Sequence, residues 1–470
     1  MSFERPIRPY SFHGQTTSLC ETCLKLVPAK ILIEGDDVFF LKRCTEHGAQ
    51  KTLIATDAAY FRSCKDFIKP GDLPLKFQSR THYGCPFDCG LCPDHEQHSC
   101  LALIEINETC NLTCPVCFAE SAPERSRQRS LAEVDAMLNT LVESEGNPDL
   151  VQISGGEPSI HPQIMDILRL AKSKPIRHIM LNTNGIRIAT DPAFVAELAG
   201  LKPGFEVYLQ FDSLKRDALM NIRGADLRRV REQALASLEA ASISTTLVCV
   251  VKKGVNDDEI GEIIRHALGY ACVRGITFQP VQDAGRNLGF DKNRDRMLLT
   301  DIRREIGAQA GEIFALDDIM PLPCNPDAIA VAYGLRDGRT VTPITRFIPK
   351  EEFLAVAPNT ISLERYPQLK ARLFDLLSLG SSGERMKTVL GDLLCCLPQV
   401  EVPGDLGYDK IFRIAIVQFL DRYNFCIASV KRSCIHFVTD EAKIIPFDTY
   451  NLFYRSGLDA KLRESMHVPA

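Results

Sequence analysis

The sequence Cys110-Asn-Leu-Thr-Cys114-Pro-Val-Cys117-Phe118 directly follows an apolar stretch that is predicted to be a strand, Leu101–Ile106. Three thiolates at this spacing on one loop can bind three irons of a 4Fe–4S cluster. The fourth iron then has no protein ligand, and an open iron can bind and reduce a substrate or a cofactor. The alternative is a structural zinc site, which needs a distant fourth ligand.

Apolar strands alternate with amphipathic helices from Leu101 onward. The predicted strands are Leu101–Ile106, Leu150–Ile153, His178–Asn182, Glu206–Phe211, Thr245–Val251 and Gly275–Gln279. The predicted helices between them are Leu131–Glu143, Gln163–Ser173, Pro192–Leu198, Leu227–Ala240 and Asp258–Tyr270. Such repeats imply right-handed crossovers and a parallel sheet. Six units are too few for an eight-stranded barrel, so the sequence predicts an α/β fold with a partial (β/α)6 barrel.

Polar residues follow the predicted strands at the point where each strand ends. Ser154-Gly155-Gly156-Glu157-Pro158 follows the second strand, and Leu181-Asn182-Thr183-Asn184-Gly185 ends the third. Gln210 and Asp212 end the fourth strand, and Gln279 ends the sixth. Parallel-barrel enzymes place their chemistry at the carboxyl ends of the strands. We therefore expect these side chains to share one rim with the three cysteines.

A second group of cysteines lies in the turn-rich segment before the first barrel strand. Its four thiolates fall within sixteen residues and are Cys85, Cys89, Cys92 and Cys100. Four thiolates are a complete ligand set for a second, fully ligated 4Fe–4S cluster, and zinc is the alternative. His95 and His98 could substitute as ligands or could hydrogen-bond nearby.

The first 75 residues form a small predicted module of short strands. Ile31–Ile33 and Val38–Lys42 flank Gly35-Asp-Asp, which predicts a hairpin. Two cysteines precede this hairpin, and one cysteine and one histidine follow it: Cys20, Cys23, Cys44 and His47. These ligands suit one tetrahedral zinc or iron ion, with Cys64 as the alternative to His47.

The C-terminal region is predicted to be irregular, with helices at Thr300–Ala310, Tyr366–Leu379, Arg385–Leu397 and Asp409–Tyr423. Phe437–Thr439 and Lys443–Pro446 predict a closing hairpin. Four cysteines of this region form either a third cluster or scattered structural thiols: Cys324, Cys395, Cys396 and Cys434. Cys249 and Cys272 are expected to be buried apolar fillers.

Composition narrows the class of protein. The chain has 470 residues, 55 basic against 60 acidic residues and 18 cysteines. Because no basic tract stands out, nucleic acid is not expected as a partner. The opening residues have no apolar core of the signal-peptide type and no apolar run is long enough to span a membrane, so we expect a cytoplasmic protein with at most peripheral membrane contact.

These patterns predict four regions along the chain. Residues 1–75 form a rubredoxin-like or zinc-knuckle-like metal module, and residues 76–100 form an auxiliary iron–sulfur loop. Residues 101–290 form the partial barrel, and residues 291–470 form a substrate and auxiliary region.

The three-cysteine loop and the Gly-Gly-Glu-Pro turn together resemble the radical S-adenosylmethionine (SAM) superfamily. The resemblance implies that Gly155, Gly156 and Glu157 hold the methionine amino group of SAM and that Asn182 and Asn184 lie at the ribose. Gln210 and Asp212 belong to the same expected cofactor rim. Phe118 either packs on the adenine or belongs to the core.

The order of the motifs resembles the tetraether lipid synthase group more closely, some members of which were earlier described as pterin methyltransferases. That resemblance implies several iron–sulfur clusters and a rubredoxin-like metal site. The sequence departs from the pattern at two places. Cys324 is followed by Asn-Pro-Asp-Ala where archaeal members carry a further His and Cys, and Asp448 stands where a cysteine is often found.

The resemblance implies a reaction in which a flavodoxin-type or ferredoxin-type protein reduces the cluster held by Cys110, Cys114 and Cys117. Reductive cleavage of SAM then yields a 5′-deoxyadenosyl radical that abstracts hydrogen from an unactivated carbon. The favoured reaction is the formation of a carbon–carbon bond on a lipid chain, or another modification of that chain, and it predicts a long apolar tunnel. Radical methylation or maturation of a pterin-like small molecule or a peptide predicts a compact polar pocket, and an electron-carrying metalloprotein is the third possibility.

Overall fold

A computed structural model describes residues 8–351, 353, 359–360 and 410–460 of the chain. The first nine strands in chain order are β1 (Ser11–Leu19), β2 (Leu26–Glu34), β3 (Asp37–Cys44), β4 (Gly48–Ala55), β5 (Leu101–Glu105), β6 (Val116–Cys117), β7 (Leu150–Ser154), β8 (His178–Thr183) and β9 (Phe205–Gln210). They are followed by β10 (Thr245–Val251), β11 (Val273–Pro280), β12 (Arg286–Asn287), β13 (Met320–Pro321), β14 (Ile329–Asp337), β15 (Thr340–Pro343), β16 (Ile411–Val417), β17 (Ile435–Val438) and β18 (Ile444–Pro446).

The α-helices cover the outer face of the larger sheet and the connections beside it. They are α1 (Ala58–Ser63), α2 (Leu131–Glu145), α3 (Ile164–Ser173), α4 (Ile186–Thr190), α5 (Pro192–Ala199), α6 (Arg216–Arg223), α7 (Arg228–Ala240), α8 (Ile260–Ala267), α9 (Leu299–Ala310), α10 (Ile427–Lys431) and α11 (Phe447–Thr449). A π-helical turn, Tyr450–Tyr454, follows the last of them.

The N-terminal module is a four-stranded antiparallel sheet in the order β1-β2-β3-β4. The predicted hairpin is confirmed, because β2 and β3 pair from Ala29 opposite Lys42 to Glu34 opposite Asp37. Gly35 in the turn has φ +60°, a conformation that glycine adopts without steric cost.

The predicted partial barrel is confirmed. Its six strands are parallel neighbours in the order β5-β7-β8-β9-β10-β11. The strands are buried on both faces, as expected for a parallel sheet that is covered by helices. Helix α2 begins at a capping box in which Ser130 and Glu133 satisfy each other's backbone N–H groups.

The C-terminal region extends this half-barrel on both edges, which the sequence analysis did not foresee. Strand β16 pairs in parallel with β11, and β17 pairs in parallel with β5. The sheet therefore holds eight adjacent parallel strands among the described residues, with antiparallel β14 and β18 beyond them. The two edges of the sheet remain apart, so the barrel is not closed.

The helix predicted over Asp409–Tyr423 is wrong where the structure describes it, because Ile411–Val417 is strand β16. Its sequence, Ile-Phe-Arg-Ile-Ala-Ile-Val, is rich in β-branched residues, which favour a strand. The helix Thr300–Ala310 and the closing hairpin are confirmed as α9 and β17–β18. The predicted helices Tyr366–Leu379 and Arg385–Leu397 lie outside the described residues.

No helix within the part of the chain that the structure describes has both the length and the apolar character needed to cross a membrane.

Replacing Ile414 with alanine tests the placement of β16. Ile414 is fully buried between Ile276 of β11 and Ala332 of β14. We expect Ile414→Ala to lower the free energy of unfolding by about 2–5 kcal/mol, measured by urea denaturation of the anaerobically reconstituted protein. The control Ile68→Ala, at a side chain that is 41% exposed, should change it by no more than about 0.5 kcal/mol. Equal effects of the two variants would contradict the strand assignment.

Candidate active site

The three-cysteine loop lies at the carboxyl end of β5 and is held there by a second loop. Strand β6 within it pairs with β12, so that Cys117 lies opposite Arg286. The Arg286 guanidinium donates to the carbonyl oxygens of Cys114 at 2.6 Å and Ser121 at 2.7 Å. These bonds fix the backbone on both sides of the loop. Cys110, Cys114 and Cys117 all line one cavity at this rim, which we call the outer cavity.

The sulfur environment fits a metal cluster. Cys110 and Cys114 are buried, and burial raises the pKa of the Cys110 thiol to about 12. Burial also raises the pKa of Cys114, which lies beside the Arg223 guanidinium. A thiol with such a pKa is protonated at neutral pH unless a metal binds the thiolate. The sulfurs of Cys110, Cys114 and Cys117 converge on one cavity and form a donor set that suits iron.

Gly155 and Gly156 let the turn after β7 pack against the strand that leads into the cysteine loop. A Cβ on Gly156 would lie 2.1 Å from the Thr109 carbonyl oxygen, and a Cβ on Gly155 would lie 2.4 Å from Asn107 Oδ1. In this packing the backbone N–H of Gly156 donates to the Asn107 carbonyl at 2.7 Å. Both glycines line the outer cavity, as the sequence predicts.

Glu157 is buried at the same rim, where its carboxylate joins the loops that follow β7 and β8. The carboxylate accepts from the backbone N–H groups of Ser159 at 3.0 Å and Asn184 at 2.7 Å, and from the Thr183 hydroxyl at 2.7 Å. Burial raises the pKa of Glu157. The predicted contact between this acid and an ammonium group therefore stays a prediction, while its role in holding the two loops is visible.

Asn182 and Gln210 are hydrogen-bonded to each other across neighbouring strands, and both line the outer cavity. Gln210 Nε2 donates to Asn182 Oδ1 at 2.7 Å, and Asn182 Nδ2 donates to Ser154 Oγ at 3.1 Å. Asn184 lines the cavity too, and its Nδ2 donates to Asn111 Oδ1 at 2.7 Å. The predicted amides are thus brought together at one rim.

Asp212 differs from the prediction, because it is fully buried behind the cavity wall. Its two carboxylate oxygens accept from the Arg223 guanidinium at 2.6 Å and 2.7 Å. Arg223 in turn donates to Gln210 Oε1 at 2.7 Å and lines the outer cavity beside Cys114. The structure therefore gives Asp212 the role of positioning Arg223, a cavity residue that sequence reasoning missed.

A second cavity, which we call the inner cavity, continues into the barrel toward the amino-terminal ends of the strands. The two cavities share six lining residues: Phe118, Asn182, Gln210, Gln279, Phe419 and Phe447. The inner cavity adds five polar side chains: Gln152, Tyr208, Thr277, Tyr333 and Arg413. Apolar residues of β5, β14 and β17 complete its wall.

Aromatic rings stand where the two cavities meet. Phe447 stacks on Phe419, with ring centroids 3.8 Å apart, and lies edge-on to Phe118 at 5.2 Å. Phe118 therefore packs against the C-terminal region, and its predicted contact with an adenine stays a prediction. Phe419 and Phe447 were missed because nothing in the sequence ties residues after β16 and β18 to the cysteine loop.

The N-terminal module brings its four predicted ligands together, with all four donor atoms within 4.8 Å of one another: Cys20, Cys23, Cys44 and His47. His47 Nδ1 lies 3.6 Å from the sulfurs of both Cys20 and Cys44. Backbone N–H groups of Glu46 and His47 lower the pKa of Cys44 to about 6, which favours its thiolate. Cys64, the alternative ligand, lies in the main core beside Tyr60.

Cys100 does not join the group predicted for it. Its sulfur lies with those of Cys324 and Cys434, all within 4.8 Å of one another, and Cys324 and Cys434 are 3.6 Å apart. The reason is topological: Cys100 precedes β5 and Cys434 precedes β17, and these two strands pair in parallel. Leu101, Leu322 and Ile435 lie beside these cysteines in sequence and line the inner cavity.

The remaining members of that predicted group stay near one another but lie against the C-terminal turns. Cys89 Sγ is 3.3 Å from Thr449 Oγ1, and its backbone N–H donates to the Tyr454 hydroxyl at 3.0 Å. Burial raises the pKa of the Cys85 thiol, and the nearby charges of Cys89 and Cys92 raise it further. His95 and His98 hydrogen-bond nearby, to the Ser433 carbonyl and the Glu145 carboxylate. Cys395 and Cys396 lie outside the described residues.

Comparison with known families agrees with this geometry. Residues 104–267 match the model of the radical SAM superfamily, and this span contains both the three-cysteine loop and the Gly-Gly-Glu-Pro turn. The chain is a radical SAM enzyme. The family implies a 4Fe–4S cluster and SAM as cofactors, and the other cysteine groups suit additional metal sites. Residues 12–56 match an HMPTM N-terminal zinc ribbon domain, in agreement with the four-ligand group of the module.

Several characterised proteins are similar to this radical SAM enzyme. A 7,8-dihydro-6-hydroxymethylpterin dimethyltransferase of Methanocaldococcus jannaschii is 29% identical in an alignment of 486 positions, which covers 95% of each chain. A GTP 3′,8-cyclase of Chlorobaculum tepidum is 30% identical over 216 residues, which cover 44% of this chain and 63% of the relative. The crystal structure of Streptococcus suis SuiB bound to S-adenosylmethionine aligns with a TM-score of 0.39 at 18% identity, over 46% of this chain and 48% of that one.

Metal analysis of two serine variants tests the ligand set of the zinc ribbon. Cys44→Ser removes one of four ligands from a closed tetrahedral site, so we expect the reconstituted protein to lose close to one zinc or iron per chain. Elemental analysis of anaerobically purified protein measures this loss. The matched control Cys64→Ser should keep the full metal content. Loss of metal from Cys64→Ser together with full metal content in Cys44→Ser would show that this ligand set is wrong.

Proposed function

We propose that this enzyme takes a hydrogen atom from a carbon of a pterin-type heterocycle, and that radical methylation is its reaction class. The observation that carries the proposal is the similarity to the pterin dimethyltransferase, which extends over 95% of both chains. A pterin and the guanine of GTP share a 2-amino-4-oxopyrimidine ring, so the shorter similarity to GTP 3′,8-cyclases points to the same type of ring. These relatives favour the heterocycle over the lipid chain that the sequence analysis expected.

The inner cavity supports a polar substrate. Gln152, Tyr208, Thr277 and Arg413 line it, and amides stand at its mouth. A hydrocarbon chain in this cavity would offer no donor or acceptor to these polar side chains. A flat heterocycle with donors and acceptors on its edge can satisfy them. Phe118, Phe419 and Phe447 can cover its apolar faces.

When bound, the cluster and SAM supply the 5′-deoxyadenosyl radical that takes the hydrogen atom. The chain's own residues place the two reactants and keep water out. Asp212 and Arg223 hold Gln210 at the boundary between the cavities, and Asn182 is held by Gln210 and Ser154. The aromatic rings of Phe118, Phe419 and Phe447 add apolar surface at that boundary.

We further propose the ligand sets that the site suggests. Cys110, Cys114 and Cys117 hold the cluster that reacts with SAM, and a flavodoxin-type or ferredoxin-type protein reduces it. The zinc ribbon ion is held by Cys20, Cys23, Cys44 and His47. Auxiliary sites are formed by two sets of thiols: Cys85, Cys89 and Cys92, and Cys100, Cys324 and Cys434.

Product analysis tests the proposed substrate class. Reconstituted enzyme is incubated anaerobically with SAM, dithionite, 7,8-dihydro-6-hydroxymethylpterin and a protein-free cell extract as the source of any further methyl donor. We expect 5′-deoxyadenosine together with a pterin whose mass has risen by one or two methyl groups, and deuterium from a ring-deuterated pterin should appear in the 5′-deoxyadenosine.

Cys114→Ala is the control and should form neither product. If the wild-type enzyme released 5′-deoxyadenosine and left the pterin unchanged, while a membrane-lipid extract was modified, the proposed substrate class would be wrong.

A further inference from the structure

Arg413 reaches into the inner cavity because of a glycine on the neighbouring strand. Gly275 of β11 lies opposite Arg413 of β16 in the parallel pairing. A Cβ on Gly275 would lie 2.5 Å from Arg413 Cγ and 2.4 Å from the Arg413 carbonyl oxygen. A glycine inside a strand often marks a close approach of this kind. Its missing side chain lets Arg413 extend across β11 toward the middle of the barrel.

The guanidinium is held at the base of the barrel by two strands beyond β11. Arg413 Nη2 lies 3.1 Å from Glu206 Oε1 of β9 and 3.1 Å from Thr246 Oγ1 of β10. Glu206 Oε2 lies 3.2 Å from His178 Nε2 of β8. Residues on three successive strands therefore fix the position of one charged side chain.

Arg413 and Glu206 face each other as opposite charges. Glu206 is fully buried, and burial alone would raise its pKa, but the Arg413 charge and the contact with His178 lower it well below its usual range. Arg413 and Glu206 thus form an ion pair. The Glu206 side chain is inaccessible, whereas 16% of the Arg413 side chain stays exposed and lines the inner cavity. A ligand in the cavity meets the guanidinium and not the carboxylate.

We propose that Arg413 is the residue that recognises the heterocycle, by a two-pronged contact to an acceptor edge made of an exocyclic carbonyl oxygen and a neighbouring ring nitrogen. In a 7,8-dihydropterin this edge is O4 and N5. Arginine binds the equivalent O6 and N7 edge of guanine in the same bidentate way. The planar fork of the guanidinium matches two acceptors in one plane, which a lysine cannot do.

The Glu206 carboxylate determines which ligand charge this subsite favours. Because Glu206 neutralises Arg413, the subsite favours a neutral ring with an acceptor edge over an anion. Tyr208 and Gln152 stand on the adjoining wall and can meet other polar atoms of the same ring. The proposal rests on the proposed function, since it names the part of a pterin that the inner cavity reads.

A comparison of two ligands on two proteins tests the contact. The probes are 6-hydroxymethyl-7,8-dihydropterin and its 5-deaza analogue, in which a C–H group replaces N5. We expect the wild-type enzyme to bind the pterin about ten- to a hundred-fold more tightly than the analogue, measured by fluorescence quenching under anaerobic conditions. In Arg413→Gln this preference should fall to less than about two-fold, with KM for the pterin raised by a similar factor and kcat changed less. Arg413→Lys should recover only part of the preference.

Further variants separate recognition from folding. The double variant Arg413→Gln/Glu206→Gln avoids a buried unpaired carboxylate and should lose the preference in the same way. Gly275→Ala should weaken it because the new methyl group displaces the Arg413 side chain. Arg339→Gln, at an exposed turn, is the matched control and should behave like the wild type.

The outcomes distinguish the two proposals. If the double variant keeps iron content and the full preference for the pterin over the analogue, Arg413 does not read this edge and the inference is overturned, while pterin turnover by the wild type still stands. If the wild type neither binds nor converts the pterin, the proposed function fails and the inference fails with it.

Discussion

The arrangement of the active site depends on one buried carboxylate and the glycines before it. Glu157 ties the loop after β7 to the loop after β8, and its backbone N–H donates to the Thr109 carbonyl at 2.9 Å, next to the cysteine loop. Gly155 and Gly156 make that approach possible, because a side chain at either position would collide with the Asn107–Thr109 segment. Three successive strand ends of the barrel are thereby held in one relative position. The positions of the thiols and the amides at this rim depend on these hydrogen bonds and this close packing.

The C-terminal region completes the enzyme in a way that the order of the sequence hides. Strands β16 and β17 extend the half-barrel on opposite edges. Phe419, after β16, and Phe447, after β18, stack on each other where the two cavities meet. The same strands deliver Arg413 to one side of the inner cavity and Cys434 to its base. The inner cavity thus lies between the three-cysteine loop at one end of the barrel and a buried group of thiols at the other.

The barrel and the cysteine loop could be predicted from the sequence because their signals are local. Each strand is a short, largely apolar stretch. Cys110, Cys114 and Cys117 lie on one loop, so their spacing alone indicates that they converge. The zinc ribbon was predictable for a similar reason, since a short hairpin brings Cys44 and His47 to Cys20 and Cys23. Cys100 was placed with the wrong partners because proximity in sequence is a poor guide when a strand pairing brings Cys434 to it from 334 residues away. The sequence predicts Asp212 as a cofactor-binding residue because its position at the end of a strand can be recognised from the pattern. The hydrogen bonds that it accepts from Arg223 cannot be recognised in this way.

In the proposed mechanism Cys110, Cys114 and Cys117 bind three irons of a 4Fe–4S cluster, and the fourth iron, which has no protein ligand, binds SAM. Electron–nuclear double resonance of the dithionite-reduced enzyme with SAM labelled with ¹⁵N at the methionine amino group tests this most directly. The account predicts a ¹⁵N hyperfine coupling to the reduced cluster, and a change in the cluster's spectrum when SAM is added. A reduced cluster with no ¹⁵N coupling and a spectrum that SAM leaves unchanged would contradict it.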